Sequence, residues 1–117
     1  MNAFTGSRWE DAAALAIANA PYLKRLIERR EDLLGGVDDR WPERLLREAI
    51  AQADTIAAEP PDIAAAMHQL RRAKDATHLA TAIADLGQAW PLERVTGALT
   101  AFADASLRAA LAVGAAE

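Results

Sequence analysis

His68 and His78 are the side chains in this 117-residue chain whose type best suits metal binding or proton transfer. On one helix, their ten-residue separation turns one about 80° from the other and lifts it nearly three turns along the axis. A shared metal ion wants histidines one turn apart, so this pair cannot hold one between them. Asp75 precedes His78 by three residues and Arg71 stands near both, which outlines a His–Asp relay with no nucleophile to serve. A phosphotransfer bundle would also display a histidine on a helix. The surroundings Met67-His68-Gln69-Leu70 and Thr77-His78-Leu79 do not develop that pattern, and both histidines read as parts of a solvated helix face.

Carboxylates are the second test. Metal-dependent phosphoryl and nucleotidyl transfer needs two acids converging on magnesium. A strand supplies them as acid–x–acid, because residues i and i+2 point the same way. No acidic pair at that spacing occurs anywhere in the chain. Gly6-Ser7 looks like the start of a nucleotidyltransferase Gly-Ser loop, but no strand with paired aspartates follows, so it reads as a helix N-cap region. Neither a Walker loop nor GxGxxG is present. The basic group Arg71-Arg72-Lys74 could meet a phosphate, yet with Asp75 beside it the simpler reading is the wet side of an amphipathic helix. Trp9, Trp41 and Trp90 each fall at a predicted helix start, where they would lock bundle ends by packing. No catalytic, cofactor-binding or metal-binding residue is assigned in this chain.

The elements that must carry these residues are helical. Alanine makes up about a quarter of the chain and is the best helix former. Aromatic residues are only 5% and strand formers are sparse, so an all-α fold is expected, with residues 1–117 as one helical unit. Five helices follow from the apolar spacing and its punctuation. The first starts near Ser7 or Arg8, with Thr5 or Ser7 as cap, and Pro21 ends or kinks it or equally opens the next as its N1 residue. The second runs from Tyr22 to Arg30, extends a turn over Glu31 to Leu34, and stops at Gly35-Gly36. The third begins around Pro42 and ends at Glu59-Pro60-Pro61, with Leu45, Leu46, Ala49, Ile50, Ala53 and Ile56 as its face. The fourth starts at Pro61, places Asp62 in its first turn, and closes at Gly87. One stripe runs its whole length and a second, Ala76, Leu79, Ile83 and Leu86, only its C-terminal half, so that half should be buried on two sides. The fifth opens at Trp90-Pro91 and reaches about Val113.

Short Gly- and Pro-containing joints make antiparallel neighbours the expected topology. The last helix leaves only a narrow polar strip of Glu93, Gly97, Thr100, Asp104 and Arg108. The last two helices together are more apolar than three short partners can cover, so further protein should pack there, from the same polypeptide or from a second copy. A net charge of −4 argues against nucleic acid and anionic lipid as partners. With no cysteine, no signal peptide and an N-terminal uncharged stretch too short to span a bilayer, the expected compartment is the cytoplasm.

One resemblance goes beyond this. Leu70-Arg71-Arg72-Ala73-Lys74, then Leu79 to Leu86 (LATAIADL), then Gly87 through Ala105 (GQAWPLERVTGALTAFADA) form a series. It is similar to a stretch of the bacterial glutamine-synthetase adenylyltransferases: a basic LRRxK start, an apolar helix ending A-D-L/I-x-G, a W-x-L-x-x-V-T-x-A-L turn into a helix, and an F-A-D-A close. Upstream, Ala20 to Ile27 (APYLKRLI) resembles that family's S-P-Y-L-x-R-L segment. The chain departs from the family pattern at Asp75-Ala76-Thr77-His78. The resemblance implies the N-terminal helical region of a bifunctional enzyme of nitrogen metabolism, one that adds AMP to a tyrosine of glutamine synthetase and removes it. It implies a nucleotidyltransferase domain beyond this stretch, performing deadenylylation with magnesium and nucleotide or phosphate. It also implies ATP as a substrate of the parent enzyme, regulation by PII protein and glutamine, and glutamine synthetase as partner. The chain itself would then be an inert scaffold. The alternative is a free-standing helical interaction module that self-associates through its last helix.

Overall fold

The computed structural model describes residues 7–34 and 38–116. Among them the chain forms α1 (Ser7–Asn19), α2 (Pro21–Arg29), a 3-10 turn (Glu31–Leu34), α3 (Trp41–Ala58), α4 (Ile63–Leu86) and α5 (Leu92–Ala116), with no strand. The all-α expectation and its five helices hold. Thr5, Gly6 and the Gly35-Gly36 stop lie outside the described residues, as does the side chain of Trp9.

Local chemistry sets the boundaries. Pro21 sits in the first turn of α2, where its missing N–H costs nothing, and the α1–α2 corner turns at Ala20 in extended conformation. Asp62 differs from the expectation: it stands before the helix as N-cap, its carboxylate accepting from the Ala65 N–H at 2.8 Å. The end of α4 differs too. Gly87 keeps a negative φ, and the left-handed residue is Gln88 at φ 59°. The Ala89 N–H reaches the Ala84 carbonyl at 2.8 Å and the Gln88 N–H reaches Asp85 at 3.0 Å, the paired bonds of a Schellman end.

Helices α3, α4 and α5 make the main bundle. Its apolar groups stack in three layers: Leu46, Ala84, Trp90 and Ala98; then Ala49, Ala73, Ala76 and Phe102; then Ala53, Ile56, Ala66, Ala105, Ala109 and Val113. Residue numbers rise together in α3 and α5 and fall in α4, so α4 runs antiparallel to both. Alanine at most of these positions lets the axes approach closely. Helices α1 and α2 and the 3-10 turn pack on the C-terminal half of α4, where Ala12, Ala16, Leu26 and Leu34 meet Trp41, Leu45, Leu79, Ala80 and Ile83. That half is thereby covered from two sides, as its second stripe predicts, and the N-terminal half is not.

Trp41 and Trp90 both lie in apolar clusters at helix starts. Trp41 is fully buried and its indole N–H donates to the Leu33 carbonyl at 2.8 Å, tying the 3-10 turn to the start of α3. The Arg94 guanidinium stacks 4.6 Å from the Trp90 ring centre.

Candidate functional site

The basic group on α4 is divided by the fold. Arg72 turns toward the 3-10 turn and donates to Asp32 Oδ2 at 3.2 Å. Arg71 and Lys74 turn the other way and line an open groove of about 470 Å³ between α4 and α5. Leu70 and His78 of α4, and Leu99, Phe102, Ala103 and Ser106 of α5, complete its walls. Asp75 does not balance the group, because it points to the opposite side. Its Oδ1 lies 3.4 Å from Arg29 Nη2 and its Oδ2 3.4 Å from Arg30 Nη1.

Arg30 is the centre of a charge cluster that sequence reasoning missed. Its side chain is 7% exposed. Its Nε and Nη2 donate to the two Asp32 oxygens at 3.0 and 3.1 Å, and its Nη1 donates to the Arg72 carbonyl at 3.2 Å. The bonds to Asp32 hold the Arg30 proton more tightly than usual, and the same bonds hold Asp32 below the ordinary carboxylate range. Nothing in the local sequence could announce the Arg30–Asp75 contact, since the two residues are 45 apart. A smaller cavity of about 190 Å³ adjoins the cluster between α3 and α4, with Glu48, Gln52, Gln69 and Arg72 among its lining, and Gln52 donates to Gln69 at 3.2 Å along it.

The histidines are not brought together. His68 is exposed on the N-terminal half of α4. His78 is half-buried, and its Nδ1 lies 3.3 Å from Tyr22 Oη of α2, with the rings edge to face at 6.3 Å. The His–Asp relay outlined in the sequence does not form, because Asp75 faces Arg29 and Arg30 while His78 faces Tyr22. Burial pushes the His78 pKa down and the Lys74 charge adds to this, with Asp75 opposing. Among the described residues, no group of three or more His, Asp or Glu side chains could hold a metal ion.

The other unusual surface is α5. Its buried side is mostly alanine, whereas Leu92, Leu99, Leu107 and Leu111 are exposed, the last at 65%. By length and composition α5 is also long and apolar enough to cross a membrane. Here one side of it is built into the bundle through Ala98, Phe102, Ala105, Ala109 and Val113.

The structure therefore defines a helical-bundle segment with one unpaired apolar face and a cationic groove beside it. Comparison with known proteins makes the assignment specific. The chain belongs to the glutamate-ammonia ligase adenylyltransferase family, whose sequence profile matches residues 10–117. The bifunctional glutamine synthetase adenylyltransferase/adenylyl-removing enzyme of Caulobacter vibrioides is 46% identical over 99 residues, 85% of this chain and 10% of that protein. The proteins of the same description from Bradyrhizobium diazoefficiens and Xanthobacter autotrophicus are 39% and 38% identical, over 79% and 86% of this chain and 9% and 10% of their own lengths. The chain thus spans about a tenth of the length of these curated relatives. No solved structure matches it.

Proposed function

We propose that this chain is the non-catalytic N-terminal helical segment of a bifunctional glutamine-synthetase adenylyltransferase and adenylyl-removing enzyme. Its role is to scaffold the deadenylylating nucleotidyltransferase domain. The observation that carries this reading is the family match across residues 10–117, at a tenth of the relatives' length. The exposed leucine face of α5 supports it, since a surface of that kind marks a packing site. Magnesium and ATP would be held by the remainder of the enzyme, which would supply the nucleotidyl-transfer chemistry. Glutamine synthetase and PII are the partners of the whole, working in the cytoplasm, without nucleic acid or membrane.

The test is to assay AMP removal from adenylylated glutamine synthetase, and AMP addition to the unmodified form, with this chain alone and with the full-length enzyme with and without it. The chain alone should be inactive, and removing it should lower deadenylylation by destabilising the neighbouring domain. Turnover by the isolated chain would refute the scaffold role. The exposed α5 face also favours a second reading, a self-associating module. Sedimentation equilibrium separates the two, because the module predicts a mass that rises with concentration.

A further inference from the structure

We infer that the α4–α5 groove is the seat of an acidic amphipathic helix supplied by the remainder of the enzyme, an inference that rests on the function proposed above. The groove is built for a helix. Leu99, Ala103, Leu107 and Leu111 follow one another at intervals of four along α5 and make a single oblique ridge, the element that seats in the groove of a facing helix. Leu107 is 59% exposed and Leu99 is 40% exposed, so the ridge is uncovered within this chain. Phe102 and Leu70 form the floor beside it. An amphipathic helix lays its apolar side into such a depression and keeps its polar side at the rim.

Charge selects the acidic form. Arg71 and Lys74 line the groove, and neither lies within ion-pair distance of a carboxylate among the described residues. Asp75, the acid nearest them in the sequence, is committed elsewhere, to Arg29 and Arg30. In a chain of net charge −4 this leaves a local cationic wall one helical turn long. It matches carboxylates spaced one turn apart on a partner helix and repels a basic one. Ser106 lines the same groove, and its buried Oγ has no hydrogen-bond partner, so a polar group of the occupant can complete it.

A second copy fits less well. Isologous pairing of this face would set the Arg71 and Lys74 wall of one copy against the same cations of the other. The stretch of each relative that matches this chain is only about a tenth of it, which leaves ample protein to fill the groove in cis.

The test uses cysteine reporters, for which the segment is a clean background because it contains no cysteine. Ala103→Cys is placed in the groove and Ala53→Cys in the core, each in the 117-residue chain and in the full-length enzyme. Maleimide labelling is read by peptide mass spectrometry. The expected result is labelling of Ala103→Cys about tenfold slower in the full-length enzyme than in the short chain. Arg71→Glu with Lys74→Glu should restore the fast rate while Ala53→Cys stays unreactive, which separates release of the groove from unfolding. If the reversal exposes Ala53→Cys, Arg71→Gln with Lys74→Gln replaces it and must still speed labelling. Equal labelling in both chains would overturn the inference, as would protection that the charge changes do not relieve. Protection that appears in the short chain as its concentration rises would assign the groove to a second copy and overturn it too. The AMP assays above judge the enzyme assignment independently, so the two failures are distinguishable.

Discussion

Replacing Arg30 by methionine is the most direct test of how the N-terminal part is held to the bundle. The substitution keeps the aliphatic stem and removes the guanidinium from a site where it is 7% exposed. It strands two carboxylates unequally. Asp75, 12% exposed, keeps only Arg29, whose own side chain is 55% exposed, at 3.4 Å. Asp32 is half in water and keeps Arg72 at 3.2 Å. Breaking a fully buried pair costs about 3–5 kcal/mol. The surviving partners and the solvent at Asp32 lower the expected loss here to about 2–3 kcal/mol. A domain of this size has about 5–15 kcal/mol in hand, so the variant stays folded and the loss is measurable as a shift in urea midpoint at unchanged slope. Asp75→Asn alone should cost about 1 kcal/mol, since Arg30 retains its shorter bonds to Asp32. The double variant should cost less than the two singles together, by about 1 kcal/mol, because each removes the same contact. The pH dependence has a definite sign. Asp32 is held below its ordinary value of 3.8, so its contribution is fully present above 3.8 and is lost as pH falls through the lower folded value. Arg30→Met should flatten that acid limb. A loss under about 0.5 kcal/mol, or strict additivity in the double variant, would show that Arg30 is a solvated surface charge and refute the argument.

Four further outcomes follow from the same structure. Trp41→Phe loses the bond to the Leu33 carbonyl and part of a fully buried ring, so urea unfolding should register about 2 kcal/mol of destabilisation with helicity retained. Gln88→Gly relieves a left-handed residue and should raise stability by about 0.5–1 kcal/mol in the same assay. His78 has a folded pKa below its ordinary 6.5, so the neutral form is favoured on folding: stability is full above 6.5, falls as pH drops toward the folded value, and loses this dependence in His78→Gln. Leu107→Glu with Leu111→Glu should leave the melting of the short chain within about 0.5 kcal/mol of the parent, because both leucines are exposed in it, and should lower that of the full-length enzyme if the proposed packing on α5 holds.

The elements were legible because their boundaries are written in proline and in periodicity. Pro21, Pro42, Pro60-Pro61 and Pro91 each fall within a residue or two of an observed helix end. The second apolar stripe of α4 correctly marks the half that α1 and α2 cover. What escaped sequence reasoning were contacts between residues far apart. Asp75 reads locally as a partner for His78, three residues on, and as a counterweight to Arg71, four residues back, and helical spacing makes either plausible. The fold overrides it, because Arg30 arrives from the other side with its guanidinium largely out of water, where an unpaired charge is costly. Gln88 escaped for a different reason: a glycine stood next to it, and composition favours the glycine for the left-handed position.

The distribution of side-chain size on α5 bears on the role of the whole segment. In a self-sufficient bundle the large apolar residues go inside, because burying a leucine removes far more apolar surface from water than burying an alanine. Helix α5 does the reverse. Ala98, Ala105 and Ala109 are at most 1% exposed, while Leu107 and Leu111 are more than half exposed. The alanines bring α5 close to α3 and α4 and limit what that interface contributes. The leucines keep most of their apolar surface uncovered, and each would gain about 1–2 kcal/mol if a neighbour buried what is still exposed. This pattern supports the scaffold role proposed above. The small side of the helix packs inward on its own bundle and its large side is left for what lies beyond, which is the arrangement a scaffold for a larger enzyme requires.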